Sequence, residues 1–290
     1  MGAEAPWPAP AKLNLMLRVL GRRPDGYHRL QTVFQFVDRA DLLRFEPRSD
    51  GRIRRVSHLP EVPAAADLVV RAARLLKEHS GCSLGADIWV DKQLPMGGGL
   101  GGGSSDAATT LVALNRIWDT GFSLRDLMGL GLSLGADVPV FVRGLAAWGE
   151  GVGEELSPIE LPDSWYLVLV PPCHVSTAAV FSDVRLTRDS LPIRIADFFA
   201  GDDRNDCLLV TRARYRPVAE ALDWLANVGR ARLTGTGGCV FAAFPTFEEA
   251  RAAFDEARPR FDCFVASGLN RSPLLERAQS RRFTGASPSG

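Results

Sequence analysis

The chain has 290 residues, and its 34 lysine and arginine residues balance 34 aspartate and glutamate residues, so that the formal net charge is zero. Zero net charge gives no overall attraction to nucleic acid or to an anionic membrane, and we expect neither as a partner. Hydrophobic residues make up 46% of the chain, yet no run of about 18 apolar residues suits a membrane span. We therefore expect a globular protein in which any anion binds at a local site and is not attracted by the overall charge.

The cysteine pattern indicates the redox compartment. Five cysteines, at positions 82, 173, 207, 239 and 263, are scattered and contain no C-x-x-C pair. Such spacing gives neither a disulfide framework nor a metal-binding cluster. Together with the absence of a charged and then apolar leader, it predicts buried thiols in a reducing environment and hence a cytoplasmic protein.

The first apolar stretch, residues 10–20, alternates like a β-strand. Its leucines occupy one face, whereas Lys12 and Asn14 share the other face. The Pro-Asp-Gly turn that follows delivers Tyr27 and His28 to its far side. Taken singly, each of these polar residues is more typical of ordinary surface, so the local pattern leaves their role open.

Four further elements are predicted between residues 32 and 92. Residues 32–36 and 41–45 are predicted strands, and residues 67–79 have the apolar spacing of an amphipathic helix. Residues 86–92 alternate as one more strand. The arginines at positions 52, 54 and 55 indicate solvated charge on an edge strand.

A glycine loop follows these elements. Six of the seven residues from Gly97 to Gly103 are glycine, and Ser104 and Ser105 precede an alanine-rich run with helical spacing. Without Cβ atoms the backbone lets a guest approach its N–H groups. A helix start adds partial positive charge and unpaired donors. We expect Ser104 or Ser105 to cap this helix, and the loop and helix start to form an anion site suited to phosphates.

Three other interpretations of the glycine loop compete with a phosphate cradle. Gly97, Gly99 and Gly102 satisfy the dinucleotide pattern G-x-G-x-x-G, but so glycine-rich a stretch matches it almost automatically. A P-loop requires lysine where Ser104 stands. A flexible linker does not usually lead from a strand directly into a helix. The sequence favours the cradle.

A second helix and an isolated acid follow the glycine loop. Ser123 and Asp126 form a capping box at the start of the helix, and Gly135 ends it. Asp137 lies between a Gly-Ala pair and an apolar segment with Pro139, which we predict to be a strand. Its carboxylate is expected to be partly desolvated, although an aspartate in such a turn is as often structural as functional.

The second half of the chain has the pattern of a separate module. A buried strand is predicted at 165–170, and helices are predicted at 218–228 and 247–257. Thr246 and Glu249 provide a capping box for the later helix. Segregated strands and helices favour an α+β sandwich over a doubly wound sheet.

A second glycine-rich loop, residues 233–241, lies between these two helices and enters an apolar strand. A plain hairpin turn is the alternative explanation of this loop. We predict an N-terminal domain at 1–158, a C-terminal domain at 159–280 and a disordered tail at 281–290.

Seven segments taken together resemble the GHMP small-molecule kinase superfamily, and they follow one another over nearly the whole chain. The glycine loop marks the superfamily. The combination of PDGYH with LGADVPVF is more specific and resembles the branch whose substrate is a cytidyl diphosphate alcohol. The segments are PAPAKLNLML, RRPDGYHRLQTVF, LPMGGGLGGGSSDAA, LGADVPVF, NDC, RLTGTGGCVF and GLNRSP.

The resemblance implies a fold, a reaction and a set of site residues. The fold is a two-domain α+β GHMP kinase fold with the active site in the cleft between domains, and the reaction uses ATP and Mg²⁺. Asp137 and Lys12 match the acid–base pair of the family. The matching ATP-phosphate residues are Pro95, Met96, Gly97, Gly98, Gly99, Leu100, Gly101, Gly102, Gly103, Ser104 and Ser105, and the matching substrate residues are Asn14, Tyr27, His28, Thr177 and Phe181.

The residues that the resemblance implies for binding the pyrimidine and adenine bases are physically reasonable, with one departure from the family pattern. Tyr27 and Phe181 suit a pyrimidine, because a stacked base is worth about 1–3 kcal/mol. Asp67 stands where this family often has asparagine near the nucleotide base, and a carboxylate accepts from the adenine amine but cannot donate back. We expect a monomer or weak homodimer. A non-catalytic nucleotide-binding regulator and a hydride-transferring dehydrogenase remain open alternatives, which ADP formation and NAD binding distinguish.

Overall fold

The structure is a computed structural model that describes residues 5–59, 63 and 66–280. The predicted tail at 281–290 lies outside the described residues. The strands are β1 (Trp7–Arg22), β2 (His28–Arg48), β3 (Ile53–Arg55), β4 (Gly85–Asp91), β5 (Ala147–Glu150), β6 (Glu155–Pro158), β7 (Trp165–Val170), β8 (Arg232–Leu233), β9 (Val240–Phe244) and β10 (Asp262–Leu269). The helices are α1 (Leu68–Ser80), α2 (Gly102–Ile117), α3 (Leu124–Leu134), α4 (Val138–Arg143), α5 (Thr177–Phe181), α6 (Ile195–Phe199), α7 (Leu208–Arg214), α8 (Arg216–Leu225), α9 (Phe247–Ala257) and α10 (Pro273–Gln279).

The strands of the described chain form a ten-stranded sheet in the order β3-β4-β2-β10-β7-β9-β8, with β1 and β5 also paired to β2, and β6 paired to β5. The long β1 and β2 pair antiparallel along most of their length. Strand β10 pairs with both β2 and β7, so it connects the strands of the two halves. The predicted division at residue 158 remains a prediction.

Strand β1 is buried along most of its length because helices and strands cover both of its faces. Its early residues, such as Ala9, pack in a core with α1 and α2. Leu17 and Val19 pack in a second core with β7, α8 and α9. Residues of β1 between these positions, including Leu13, belong to a third cluster. The strand therefore carries Lys12 and Asn14 to the point where the two halves meet.

Local capping signals correctly predicted several helices. Ser123 and Asp126 form the predicted capping box of α3, and α9 has the predicted bounds, with Thr246 accepting from the Glu249 backbone N–H. Helix α1 was predicted from its apolar spacing alone, and the structure adds a cap that was not predicted, because Asp67 accepts from the backbone N–H of Val69 at 2.9 Å. Side chains that satisfy the first free N–H groups of a helix make its start readable from sequence.

Three local predictions were wrong. Neither Ser104 nor Ser105 caps α2, because the helix begins at Gly102 after Gly101, and no side-chain cap forms in this described segment. The apolar segment after Asp137 is helix α4, with Pro139 in the first turn, where its missing N–H costs nothing. Arg55 is not solvated, since its side chain is only 12% exposed and its Nε lies 2.6 Å from the Asp67 carboxylate.

The cysteines agree with the predicted buried thiols only in part. All five cysteines are free thiols; Cys207 and Cys239 are buried as predicted, whereas Cys82, Cys173 and Cys263 are partly buried.

None of the helices in the described ranges has the length and apolar character that crossing a membrane requires.

Candidate active site

A cleft of about 680 Å³ lies where the two halves of the chain meet. Lys12 and Asn14 reach it from β1, the glycine loop lines it from residue 95 to residue 104, and Asp137 reaches it from the start of α4. Residues 174–177 and Phe181 line it from the second half. The fold thus brings together residues that lie far apart in sequence.

The glycine loop is held in place from both sides. The backbone N–H of Lys12 donates to the Leu100 carbonyl at 3.0 Å, and that of Cys239 donates to the Gly98 carbonyl at 2.8 Å. A Cβ atom at Gly99 would lie 2.5 Å from the carbonyl oxygen of Thr234, so only glycine allows this approach. The second glycine-rich loop connects β8 and β9 as a hairpin, and it also packs against the first loop.

Lys12 and Asp137 form an ion pair in the cleft. The Nζ atom of Lys12 lies 3.2 Å from Oδ2 of Asp137. The side chain of Lys12 is only 3% exposed, whereas that of Asp137 is 36% exposed. Asp137 occupies the N-cap position of α4, but within the described structure its carboxylate makes no capping hydrogen bond. In the described structure the Asp137 carboxylate therefore pairs with Lys12 and not with the backbone of α4.

A chain of hydrogen bonds fixes the position of the Lys12 ammonium group. Lys12 Nζ donates to the side-chain oxygen of Asn14. The Asn14 amide nitrogen donates to Thr32 Oγ1 at 2.8 Å, and that hydroxyl donates to the Met16 carbonyl at 2.6 Å. Buried charges persist where partners compensate for lost hydration. The sequence analysis missed Thr32, because only the β1–β2 pairing places it beside Asn14.

The predicted substrate residues have different environments. The rings of His28 and Phe181 stack, with centroids 4.9 Å apart and planes inclined by 27°. The hydroxyls of Thr177 and Thr236 lie 2.9 Å apart. Tyr27 is 61% exposed and Ser105 is fully buried. Tyr27, His28 and Ser105 are not among the described residues that line the cleft.

A charge cluster of Lys92, Asp41 and Asp106 was missed by the sequence analysis, and two of its members, Lys92 and Asp106, line the cleft. Lys92 Nζ donates to the carboxylates of Asp41 and Asp106, the latter at 2.9 Å. Asp41 also accepts from the backbone N–H groups of Gln93 and Leu94 at 2.6 and 2.8 Å. The cluster therefore ties β2 to the segment that enters the loop and to the first turns of α2.

This cluster predicts an unusual pH dependence of stability. Burial raises the pKa of Asp106 to about 7, although the Lys92 charge opposes this effect and Asp41 adds to it. A carboxyl group with a raised pKa in the folded state stabilises the fold most below its ordinary pKa, and this contribution is lost as the pH rises through 7. Between about pH 4 and 8, the unfolding free energy of the wild type should therefore fall more steeply with rising pH than that of Asp106→Asn. The two slopes should differ by up to about 1.4 kcal/mol per pH unit.

Urea unfolding across this pH range measures the difference. Asp126→Asn is the matched control, because hydrogen bonds from Ser123 lower the pKa of Asp126, and a lowered pKa gives stability that is lost only as the pH falls. Parallel curves for the wild type and Asp106→Asn would contradict the prediction.

Comparisons with known proteins show the family to which the chain belongs. A model of the GHMP kinase N-terminal domain matches residues 67–145, and a model of the GHMP kinase C-terminal domain matches residues 188–262. The chain is 59% identical over 276 residues to the 4-diphosphocytidyl-2-C-methyl-D-erythritol kinase of Alkalilimnicola ehrlichii, and the match covers 95% of both chains. The chain belongs to the 4-diphosphocytidyl-2-C-methyl-D-erythritol kinase family of GHMP kinases.

Two further members of this kinase family give the same result. The enzyme of Methylococcus capsulatus is 58% identical, with 94% of each chain covered. A crystal structure of a 4-(cytidine 5'-diphospho)-2C-methyl-D-erythritol kinase superimposes with a TM-score of 0.78 at 33% identity, covering 90% of this chain and 98% of the other. The predicted α+β fold with N- and C-terminal GHMP domains is confirmed. GHMP kinase membership also implies the use of ATP.

Proposed function

We propose that this protein transfers the γ-phosphoryl group of ATP to the 2-hydroxyl of 4-diphosphocytidyl-2-C-methyl-D-erythritol, in non-mevalonate isoprenoid precursor synthesis. The observation that carries the proposal is the Lys12–Asp137 ion pair, which shares one cleft with the glycine loop and Phe181. A kinase needs an anion cradle, an acceptor site and a group that accepts the hydroxyl proton, and these residues supply all three.

The glycine loop and the start of α2 would hold the ATP phosphates. Backbone N–H groups at the amino end of α2 point out of the helix and favour a negative charge. The glycines between Gly97 and Gly103 leave that end uncovered by side chains. Pro95, Met96 and Leu100 shape the loop, and Ser104 adds a hydroxyl at its edge. These assignments follow the resemblance and the position of the loop in the cleft.

Asp137 would accept the proton of the attacking hydroxyl. A general base must be ionised, and a nearby ammonium group favours the ionised carboxylate. Lys12 lies 3.2 Å from Asp137 and would also offset negative charge on the transferring phosphoryl group. Asn14 holds the Lys12 ammonium group in position, so that the two charged residues act as one unit.

Mg²⁺ is the expected cofactor. In the described ranges no group of three or more His, Cys, Asp or Glu side chains is placed to hold a metal ion. Kinases bind Mg²⁺ largely through substrate phosphates and one or two carboxylates, so the ion fits a site in which the loop positions the phosphates. It would neutralise charge that develops during the transfer.

The cytidyl group would bind beside the stacked His28 and Phe181 rings. Phe181 lines the cleft and stacks on the ring of His28, which supports an aromatic platform next to the cleft, and the exposed ring of Tyr27 would cover a base placed there. Thr177 and Asn14 add polar groups toward the rest of the substrate. The monomeric or weakly dimeric state and the cytoplasmic location remain predictions.

An ADP-release assay tests the proposed function. The purified protein is offered 4-diphosphocytidyl-2-C-methyl-D-erythritol, mevalonate, homoserine or galactose at equal concentrations with MgATP. We expect substrate-dependent ADP formation with the cytidyl alcohol only. Preference for another alcohol would indicate a GHMP kinase of different specificity, and ATP binding without any ADP release would indicate a nucleotide-binding regulator.

A further inference from the structure

One arginine outside the cleft lining contacts both members of the stacked ring pair. Arg188 Nε donates to Nε2 of His28 at 3.3 Å. Arg188 Nη2 donates to the carbonyl oxygens of Phe181 and Asp183 at 2.7 and 2.8 Å, and Nη1 donates to the Leu186 carbonyl at 3.1 Å. A single guanidinium group thus holds the ring of His28 and the backbone of Phe181 at the same time.

The contact with Arg188 fixes the protonation state of His28. An arginine Nε always carries its proton, so Nε2 of His28 must be the acceptor, and the neutral ring carries its proton on Nδ1. Protonation of Nε2 would break the hydrogen bond and place a cation beside Arg188 and Arg22. Consistent with this, burial, then the charge of Arg188 and then that of Arg22 lower the pKa of His28.

The ring spacing limits where a base can bind. With centroids 4.9 Å apart, the His28 and Phe181 rings are in direct contact. A planar base cannot enter between them and must stack on an outer face of the pair. A platform that is already assembled before binding avoids the entropy cost of ordering two side chains.

We propose that Arg188 is a positioning residue for the pyrimidine base of a nucleoside diphosphate substrate. It holds the neutral Nδ1–H form of His28 and the Phe181 backbone in place before the substrate arrives. This role rests on the proposed function, because the cytidyl group is the base in question. Arg188 acts through the two ring residues and not on the reacting atoms.

Calorimetric titration with CDP tests this role. Arg188→Gln should weaken CDP binding about tenfold, which corresponds to about 1.4 kcal/mol, while ATP affinity stays at the wild-type value. Arg188→Lys keeps the charge but lacks the planar fork, so it should not restore binding. Phe181→Ala should weaken CDP binding at least as much. Arg185→Gln is the matched control, because Arg185 lies in the same segment and pairs with the Asp183 carboxylate at 2.8 Å.

Two further measurements separate positioning from a general structural role. In Arg188→Gln the KM for the cytidyl substrate should rise, with kcat and the KM for ATP near wild type. Nitrogen-15 NMR of the His28 ring should show the Nδ1–H form in the wild type. In the variant it should show mixed tautomers and a titration midpoint at higher pH, since one of two neighbouring cations is gone.

The outcomes distinguish this inference from the proposed function. A wild-type protein that does not bind CDP overturns the proposed function, and the role of Arg188 with it. Wild-type CDP binding that Arg188→Gln retains in full overturns the role of Arg188 alone. Equal losses of CDP and ATP affinity, or an unchanged His28 tautomer, also overturn it, because they point to structural damage or to no effect on the ring.

Discussion

Replacement of Asp137 by asparagine is expected to lower kcat by roughly 10²–10⁴-fold while leaving ATP and substrate binding largely intact. Asparagine has nearly the same shape but cannot accept the hydroxyl proton. The carboxylate lies 3.2 Å from the Lys12 ammonium group, and in the described chain it takes no part in capping α4. The loss should therefore fall on the chemical step and not on folding or binding.

The Lys12→Met variant and the double variant with Asp137→Asn and Lys12→Met test whether Lys12 and Asp137 act as a unit. Lys12→Met should lower kcat by a similar factor, because the base loses its partner and the transferring phosphoryl group loses a neutralising charge. The double variant should lose much less than the product of the single losses. Single-turnover phosphoryl transfer measures the chemical step, and circular dichroism checks folding.

Asp126→Asn is the matched control for the Asp137 experiment. Asp126 also lies at the start of a helix, but its carboxylate caps α3 and is not among the residues that line the cleft. Its replacement should cost stability and leave the transfer rate near wild type. A folded Asp137→Asn enzyme that keeps more than about a third of the rate would remove Asp137 from the mechanism and leave positioning and Mg²⁺ as the main sources of catalysis.

Elements with strong local signals could be predicted from sequence. Helix α9 has both a capping threonine and a clear apolar period, and its observed bounds match the prediction. Helix α4 was missed because a short, wholly apolar run rich in valine is equally typical of a buried strand and of a buried helix. Pro139 in the first turn was the signal that favoured a helix there.

The candidate site was predictable where a motif carried it and not where tertiary contacts create it. The glycine loop, Lys12 and Asp137 matched family segments. Lys92 contacts Asp41, 51 residues away in sequence, and Arg188 contacts His28 at a separation of 160 residues. Such pairs leave no local pattern, since each partner alone resembles an ordinary surface charge.

Replacement of Gly101 by valine is expected to have the second large effect, a loss of roughly 10²-fold in kcat/KM for ATP. Gly101 has a φ angle of +76°, which is strained for a β-branched residue and costs about 1–3 kcal/mol. A Cβ atom there would lie 2.6 Å from Phe141 Cζ and 3.1 Å from Lys12 Cε. The loop must therefore shift, and its N–H groups move away from the phosphates.

Gly129→Ala is the matched control for the Gly101 variant, since Gly129 does not line the cleft and a Cβ atom there would meet none of the described residues within 4 Å. Alanine also suits a position inside α3 better than glycine does. We expect this variant to keep its fold and most of its ATP affinity, as measured by calorimetry and circular dichroism. If a folded Gly101→Val protein binds ATP as tightly as the wild type, the phosphates do not lie on this loop, because no unstrained placement of valine leaves its backbone where it is.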